Sequence, residues 1–495
     1  MEKLRIFLSH FFKNTRSTPF VILFSLTLLL AFTDLQDFRP NMDSMTYGIL
    51  AKNILKTGDW TTLHYTKQAY WEFYQHPPFG IWFLAVVFKL LGTSNLALKF
   101  ASALIMIGTT LLTGAWGFVL FKNQTHAPQR ESATAALLSG LILLTSTRYL
   151  KPAAGYLLDS PLALLLVAAG LSFHLSLDES GSRWRHRGLS FLSGFLGALS
   201  LLCKGLPALV LPALIFTIGI VSPKTRKSAL GFILGCSVPL FGFMKFGHGD
   251  VFIREYWSQS VSARVGGNVS FSNHLQPVLS LLKTWIPWFP IWLVSLSFLF
   301  KRLWKQPTDV RVLLPVGLSL GILLGFSLNG RFLEHYLVPF FPFAALSISL
   351  VWTSWLATYS ERIAKATAAL TALALGAALF LPMEFQGDTH RSPLVRLHER
   401  AQTECKMISP STRLIYAPQT LDLWYGLALG AWATPWEPTV AFSEADIPRE
   451  ETILLVRKSE KPKPAHWNGT VLLQEGEFVL ETNDAQLSAL CHAAN

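Results

Sequence analysis

Charge is what this 495-residue chain has least of: 15% of its residues are Asp, Glu, Lys or Arg, while 51% are hydrophobic. Soluble domains carry about 25% charged residues. A wholly water-soluble protein is therefore excluded and a polytopic membrane protein is expected. Four cysteines are too few for a disulfide scaffold. Cys203 and Cys236 lie in apolar runs and read as inert core residues, whereas Cys405 and Cys491 bracket most of the C-terminal tail. Neither a G-x-x-x-x-G-K-[ST] loop nor a G-x-G-x-x-G occurs, which argues against nucleotide use within the chain. H-x-x-x-H, C-x-x-C and Asp-rich metal patterns are missing, as are internal repeats, heptads and low-complexity tracts. The net charge of +12 does not point to nucleic acid. The basic residues sit in short loops between apolar runs, where they set membrane topology.

What is abundant is uncharged sequence of spanning length. Eleven such runs occupy 17–33, 100–121, 132–147, 160–177, 188–203, 205–223, 228–244, 284–300, 312–330, 335–360 and 366–383. Each approaches the ~20 residues that cross ~30 Å of hydrocarbon. The basic N-terminus feeds the first run with no small-residue cleavage site after it, so an uncleaved first helix is expected. A further apolar stretch, 73–88, contains His76-Pro77-Pro78 near its start. If it does not span and the N-terminus is cytoplasmic, eighteen Lys and Arg fall in cytoplasmic segments. If it spans, every later loop flips. The positive-inside bias favours the first arrangement.

The expected fold is thus a polytopic α-helical membrane protein with about eleven transmembrane helices. Segment 73–88 is a juxtamembrane helix on the outer face, and the C-terminus is outside. The membrane domain is 1–383, with outer loops 34–99 and 245–283. Residues 384–495 are less apolar, and β-rich runs (RLIYAP, TILLVRK, TVLLQEGEFVLE) between Pro and Gly predict a small α/β domain outside the membrane. The outside of a bacterial inner membrane is oxidising, which leaves both a Cys405–Cys491 disulfide and two free thiols open.

This topology gathers Asp43, His76, Asp159, Lys204, Arg264, Arg331 and His335 on one membrane face. Such a cluster at a lipid boundary suits a charged lipid substrate better than a transported ion. Asp43 and Tyr47 share a face of a short helix stopped by Gly58. Asp43 reads either as that helix's cap or as a general base at the membrane surface. Asp159, ahead of Ser-Pro in LLDSPLALLL, reads locally as an N-cap. Lys204, in SLLCKGLPALVLP, either snorkels to the interface or holds an anion. A substrate phosphate accounts for Lys204, Arg264 and Arg331 together. Arg331 and His335 are one helical turn apart in NGRFLEHYLVPFFP. His76, in WEFYQHPPFGIW, reads as an amphipathic filler, a donor to phosphate or a metal ligand.

In order, the chain carries a D-x-x-x-Y segment ending in GDW, a P-P-F-x-x-W juxtamembrane helix, LDSPL, LLCKGLPALVLP and R-x-x-x-H-YLVPFFPFAAL. Over about residues 20–350 it resembles the membrane glycosyltransferases of the protein O-mannosyltransferase and lipid A aminoarabinose transferase group, of the GT-C fold. The resemblance implies transfer of a sugar from a polyprenyl-phosphate carrier to a lipid, protein or glycan at the outer face of a bacterial inner membrane, without nucleotide sugar. It implies that Asp43 is the catalytic Asp of the first loop and Asp159 the second acidic position. It places Lys204 at the family's Lys-Gly motif and Arg264 at a basic residue of the large outer loop. Arg331, His76 and His335 join them as donor-phosphate ligands, with Tyr47 and Glu72 positioning substrate. Two positions depart from the family. Gln75-His76-Pro77-Pro78 stands where many members have Glu-Lys-Pro-Pro, so the charge of His76 depends on pH near ~6.5. Val261 stands where some members carry a metal-ligating His, which leaves a divalent metal open and unassigned.

Two readings from other classes compete. A lipid or glycan transporter needs charges near mid-membrane and an inverted repeat, and neither is visible. A non-catalytic scaffold of the same fold fits the departures at His76 and Val261 but leaves Asp43, Asp159 and Lys204 without a purpose.

Overall fold

The computed structural model describes residues 18–32, 41–66, 69–122, 129–178, 182–262, 271–306, 309–328 and 332–358. Within the tail it describes 413–416, 437–440, 452–457, 470–475, 478–483 and the single positions 397, 400, 401, 404, 405, 432, 487, 489 and 491. The chain divides into two compact units. The first comprises 1–38, 74–83 and 96–383; the second comprises 39–73, 84–95 and 384–495.

The first unit is helical. Its helices are α1 (Thr18–Phe32), α4 (Asn95–Lys122), α5 (Gln129–Leu144), α6 (Thr147–Ala154), α7 (Asp159–Ser176), α8 (Arg183–Lys204), α9 (Val210–Val221) and α10 (Arg226–Phe246). These are followed by α11 (Gly249–Tyr256), α12 (Phe271–Thr284), α13 (Trp288–Lys305), α14 (Val310–Leu328) and α15 (Phe340–Thr358). Ten of the eleven expected runs overlap these helices, and 366–383 lies outside the described residues.

Spanning is a stricter condition than helicity. By length and composition Asn95–Lys122, Asp159–Ser176 and Pro223–Phe246 can cross a membrane. The pair Asn273–Thr284 and Trp288–Lys305, bent by 113°, makes a fourth if it is one broken span. Six other apolar helices have 10–17 residues, below the ~20 needed. Among the described residues, therefore, three helices, or four with the bent pair, meet the spanning condition, against the eleven expected. The expected run 284–300 is split at its start because Pro287, lacking an N–H, ends one helix and admits the next.

The core is aromatic; two of its indoles have their N–H satisfied, while Trp116 Nε1 and Trp292 Nε1 have no hydrogen-bond partner among the described residues. Trp116, Trp285, Trp292, Phe173, Phe340 and Phe341 are fully buried. Trp285 Nε1 donates to Ser146 Oγ at 2.7 Å, and Trp288 Nε1 to Thr145 Oγ1 at 2.9 Å. Such partners are what let an indole enter an apolar interior without an orphaned donor. Helix α8 packs along α7 and α10. Against α10 the backbones nearly touch: a Cβ on Gly194 would fall on the Phe232 carbonyl, and one on Gly235 on the Phe191 carbonyl. Small residues permit this approach, as they do between membrane helices generally. Gly235→Leu is therefore expected to force the pair apart, costing about 1–3 kcal/mol or more by overpacking, read as a lower midpoint of thermal unfolding in detergent. Gly188→Ala, on α8 and facing open space, should instead raise the midpoint slightly, because alanine is favoured over glycine inside a helix.

The second unit holds α2 (Met42–Thr57), the hairpin β1 (His64–Thr66) and β2 (Ala69–Glu72), and a five-stranded sheet. Helix α3 (Phe79–Leu91) begins in the first unit and ends in the second. It starts directly after Pro77-Pro78, and its 13 residues measure roughly 20 Å, too short to span.

The sheet is ordered β4-β3-β5-β7-β6. Strands β3 (Arg413–Tyr416), β4 (Glu437–Val440) and β5 (Thr452–Arg457) are parallel; β6 (Thr470–Glu475) and β7 (Phe478–Thr482) pair antiparallel. Four of these strands coincide with the β-rich runs of the tail. β4 does not, because Pro438 masks it in sequence; an edge strand is where a proline is tolerated. Cys405 and Cys491, both buried, form a disulfide across 86 positions, so the pairing left open by the sequence is made.

Candidate active site

In the first unit the site is built where α7 begins and α8 ends. Asp159 opens α7, but its carboxylate does not cap: the N-cap is Leu158, with no side-chain cap bond. Asp159 Oδ2 instead forms an ion pair with Lys204 Nζ. Both side chains are buried, at 1% and 6% exposure. The local N-cap reading of Asp159 and the snorkelling reading of Lys204 are thus both corrected. Lys204 does hold an anion, and in this structure that anion is Asp159.

Lys204 is the last residue of α8, and Gly205 follows with φ +76°. A side chain at 205 would meet the ring of Tyr256, whose Cζ lies 2.9 Å from the ideal Cβ position. The Lys-Gly pair is thereby explained: the glycine turns the chain away under Tyr256 while the lysine stays aimed at Asp159.

His335 arrives from the short 3-10 turn Glu334–Leu337, with Nε2 3.8 Å from Asp159 Oδ2. Its ring stands edge-on to Tyr336 at 4.9 Å, and Lys204 Nζ lies 4.8 Å from the centre of the Tyr336 ring. Glu334, beside it, pairs with Arg148 of α6, which ties the turn to its neighbour. Burial lowers the pKa of the Arg148 guanidinium, which still remains charged. Asp159 Oδ1 is buried and has no hydrogen-bond partner among the described residues. One oxygen of this carboxylate is held between two basic groups and the other is left to accept.

His76 is half-buried in the segment that precedes α3. That segment is bound to the π-helical turn Trp257–Ser262. Ser260 Oγ donates to the Gln75 carbonyl at 2.8 Å, and the Tyr74 N–H to Gln259 Oε1 at 3.4 Å. Val261 belongs to this turn. Arg264 and Arg331 lie outside the described residues.

In the second unit Asp43 is in the first turn of α2, half-exposed. The cap is Asn41, whose Oδ1 accepts from the Ser44 N–H at 2.8 Å and the Ser44 hydroxyl at 2.9 Å. Asp43 is therefore not the cap, and its carboxylate sits near the positive end of the helix dipole. Tyr47, one turn on, is buried. Facing them on β1, Tyr65 has its phenol pushed up to about 12, first by burial and then by the charge of Asp43, against a hydrogen bond with Thr46 that pulls it down. Glu72 is exposed at the end of β2, opposite His64. Among the described residues no group of three His, Cys, Asp or Glu converges to hold a metal.

Sequence reasoning missed Tyr336, Tyr256 and the Arg148–Glu334 pair. Each depends on a contact between segments far apart in the chain. Tyr336 alone had a signal, its place next to His335.

Comparison with known proteins bears on the fold and on the family the chain resembles. Residues 75–244 match the family described as dolichyl-phosphate-mannose-protein mannosyltransferase. The fold is that of ArnT from Cupriavidus metallidurans, solved bound to undecaprenyl phosphate. The TM-score is 0.69 at 17% identity, covering 95% of this chain and 99% of that one. The archaeal oligosaccharyltransferase AglB from Archaeoglobus fulgidus, solved with an inhibitory peptide and a dolichol-phosphate, shares the fold at TM-score 0.55 and 13% identity. It covers 86% of this chain and 64% of that one. By sequence, the chain is 30% identical over 198 residues to the undecaprenyl phosphate-alpha-4-amino-4-deoxy-L-arabinose arabinosyl transferase of Aeromonas salmonicida. That stretch is 40% of this chain and 34% of the relative. The protein of the same name from Pectobacterium carotovorum is 24% identical over 392 residues, 75% of this chain and 67% of the relative. In the Aeromonas, Serratia and Enterobacter relatives the chain spans about a third of their length. The chain resembles the polyprenyl-phosphate-sugar glycosyltransferases of the GT-C fold, as its motifs led one to expect.

Proposed function

We propose that this chain is a membrane glycosyltransferase. It moves a sugar from a polyprenyl-phosphate carrier to an acceptor at the periplasmic face of a bacterial inner membrane. The first donor to test is undecaprenyl-phosphate 4-amino-4-deoxy-arabinose, with lipid A as acceptor. The observation that carries the reading is Asp159, buried, ion-paired through one oxygen and without a partner at the other among the described residues, in a fold that a neighbour uses to hold undecaprenyl phosphate.

Asp43 takes the proton of the acceptor hydroxyl as its oxygen attacks the anomeric carbon. The bond from that carbon to the carrier oxygen breaks with inversion, and its electron pair leaves with the polyprenyl phosphate. His76, His335, Arg264 and Arg331 offset the developing phosphate charge. Lys204 holds Asp159 Oδ2 and so orients the carboxylate, and Oδ1 accepts a hydroxyl of the sugar. Tyr47 and Glu72 position substrate around Asp43. Residues 384–495 lie outside the membrane with the disulfide.

The test uses the purified full-length protein in nanodiscs with that donor and lipid A, read by mass spectrometry. Gain of one aminopentose on lipid A is the expected product. Transfer only from a polyprenyl-phosphate hexose would overturn the sugar class. No transfer from any carrier, together with movement of undecaprenyl phosphate between leaflets of proteoliposomes, would replace transferase with transporter.

A further inference from the structure

One side chain of the C-terminal region reaches the helix that carries Asp43. Trp432, five residues ahead of β4, lies against Gly48 in the second turn of α2: a Cβ there would come within 2.5 Å of the indole ring. The same indole packs on Phe88 of α3, ring centroids 5.9 Å apart, and its Nε1 donates to Asn95 Oδ1 at 2.9 Å. Glycine is unfavourable inside a helix. Its presence in the middle of α2, where buried neighbours are Tyr47 and Ile49, is explained by the ring it admits.

A second grip lies elsewhere on α2. Asn53 Nδ2 donates to the carbonyls of His64 and Tyr65, at 2.8 and 2.7 Å, and so fastens the helix to β1. Gly48 and Asn53 are about 140° apart around the helix and about 7.5 Å apart along it. One such contact would leave α2 free to roll about it. Two contacts on different sides fix both its roll and its tilt. Asp43 is in turn about 7.5 Å beyond Gly48, past the last of these grips. The indole adds to the packing of buried Ser44, Met45 and Tyr47, and without it the Asp43 end of the helix is held less firmly.

We propose that Trp432 is a positioning residue for Asp43: the C-terminal region, through this indole on Gly48, sets the orientation of α2 and hence of the carboxylate at its start. The proposal rests on the reading of Asp43 as the base. It gives residues 384–495 a part in the reaction without requiring them to touch substrate.

The test compares Trp432→Ala, Trp432→Phe, Gly48→Val and Asp43→Asn in the full-length protein, with undecaprenyl-phosphate 4-amino-4-deoxy-arabinose as donor and lipid A as acceptor. Trp432→Ala is expected to lower kcat about tenfold or more with the donor KM little changed, since a misplacement of ~1 Å can cost ~100-fold. Trp432→Phe, which keeps a ring on Gly48, should recover most of that rate, and Gly48→Val, which evicts the ring, should mimic the alanine variant. Amide exchange across 42–57 should quicken in Trp432→Ala and in Gly48→Val while exchange in α7 and α8 stays as in the wild type. Wild-type kcat in Trp432→Ala beside an inactive Asp43→Asn would overturn the positioning role and leave the base intact. An active Asp43→Asn would remove the base itself, and with it the proposal. If Trp432→Ala does not fold, Trp432→Phe and Gly48→Val carry the comparison. Unchanged exchange across 42–57 in a folded Gly48→Val protein would overturn the proposal by itself.

Discussion

Lys204→Met is expected to destabilise the protein by about 3–5 kcal/mol, the usual penalty for stripping the partner from a buried charge. Asp159 is almost fully enclosed, and water has little access to replace the lost ammonium. His335, whose Nε2 is already 3.8 Å away, is the nearest basic group that can move toward the stranded carboxylate. Asp159→Asn should be damaging in the opposite sense, because it leaves the ammonium buried without its counter-charge, beside an amide and the Tyr336 ring. The pair is distinguished from two independent losses by the double variant Lys204→Met/Asp159→Leu, in which no charge is left to desolvate. Its midpoint of thermal unfolding in detergent should lie above that of either single variant. A double variant as unstable as the sum of the singles would mean that the two residues do not act as a pair. Transfer should be lost in all three, since each removes the carboxylate or its orientation.

Asp43→Asn is expected to lower kcat by roughly 10²–10⁴-fold, the contribution of a positioned general base, with little change in the unfolding midpoint. The reason for the small stability effect is structural. Asn41, not Asp43, caps α2, and Asp43 is half-exposed. What is lost is a favourable charge near the helix N-terminus, worth about 0.3–1 kcal/mol. The contrast is Asn41→Ala, which removes the acceptor for the Ser44 N–H and should cost about 1 kcal/mol with a smaller loss of rate. Turnover of Asp43→Asn near the wild-type value would rule out Asp43 as the base, and the phenol of Tyr65 is held too basic to take over near neutral pH.

Much of the chain was legible without coordinates because membrane and helix physics act locally. A run of uncharged residues within a bilayer must satisfy its backbone by forming a helix, and all ten of the runs that fall within the described residues overlap helices. Gly58 closes α2 in the left-handed conformation because no other residue adopts it so readily. The β-rich composition of TILLVRK and TVLLQEGEFVLE, set between Pro and Gly, marked β5, β6 and β7 for the same local reason. The number of crossings was less legible, because an apolar run records that a helix is buried without recording in what.

The site divides along the same line. Sequence order identified Asp43, Asp159, Lys204 and His335 as the polar residues worth explaining, and set them beside the motifs of a known group. It could not choose between a capping Asp159 and a paired one, since both look alike in LLDSPL. That choice was made across 45 residues, where α8 delivers an ammonium to the start of α7 and an enclosed carboxylate gains far more from a charge than from a cap. Gly48 and Trp432 show the same limit at longer range. Nothing within a few residues of either predicts the other, because their contact exists only once α2 and the tail share one compact unit. What the sequence determined by itself was which segments are helical, which are strands and which residues are chemically costly to keep. The tertiary structure alone decided how those residues are partnered, because pairing energies depend on burial and distance, and both are properties of the packed chain.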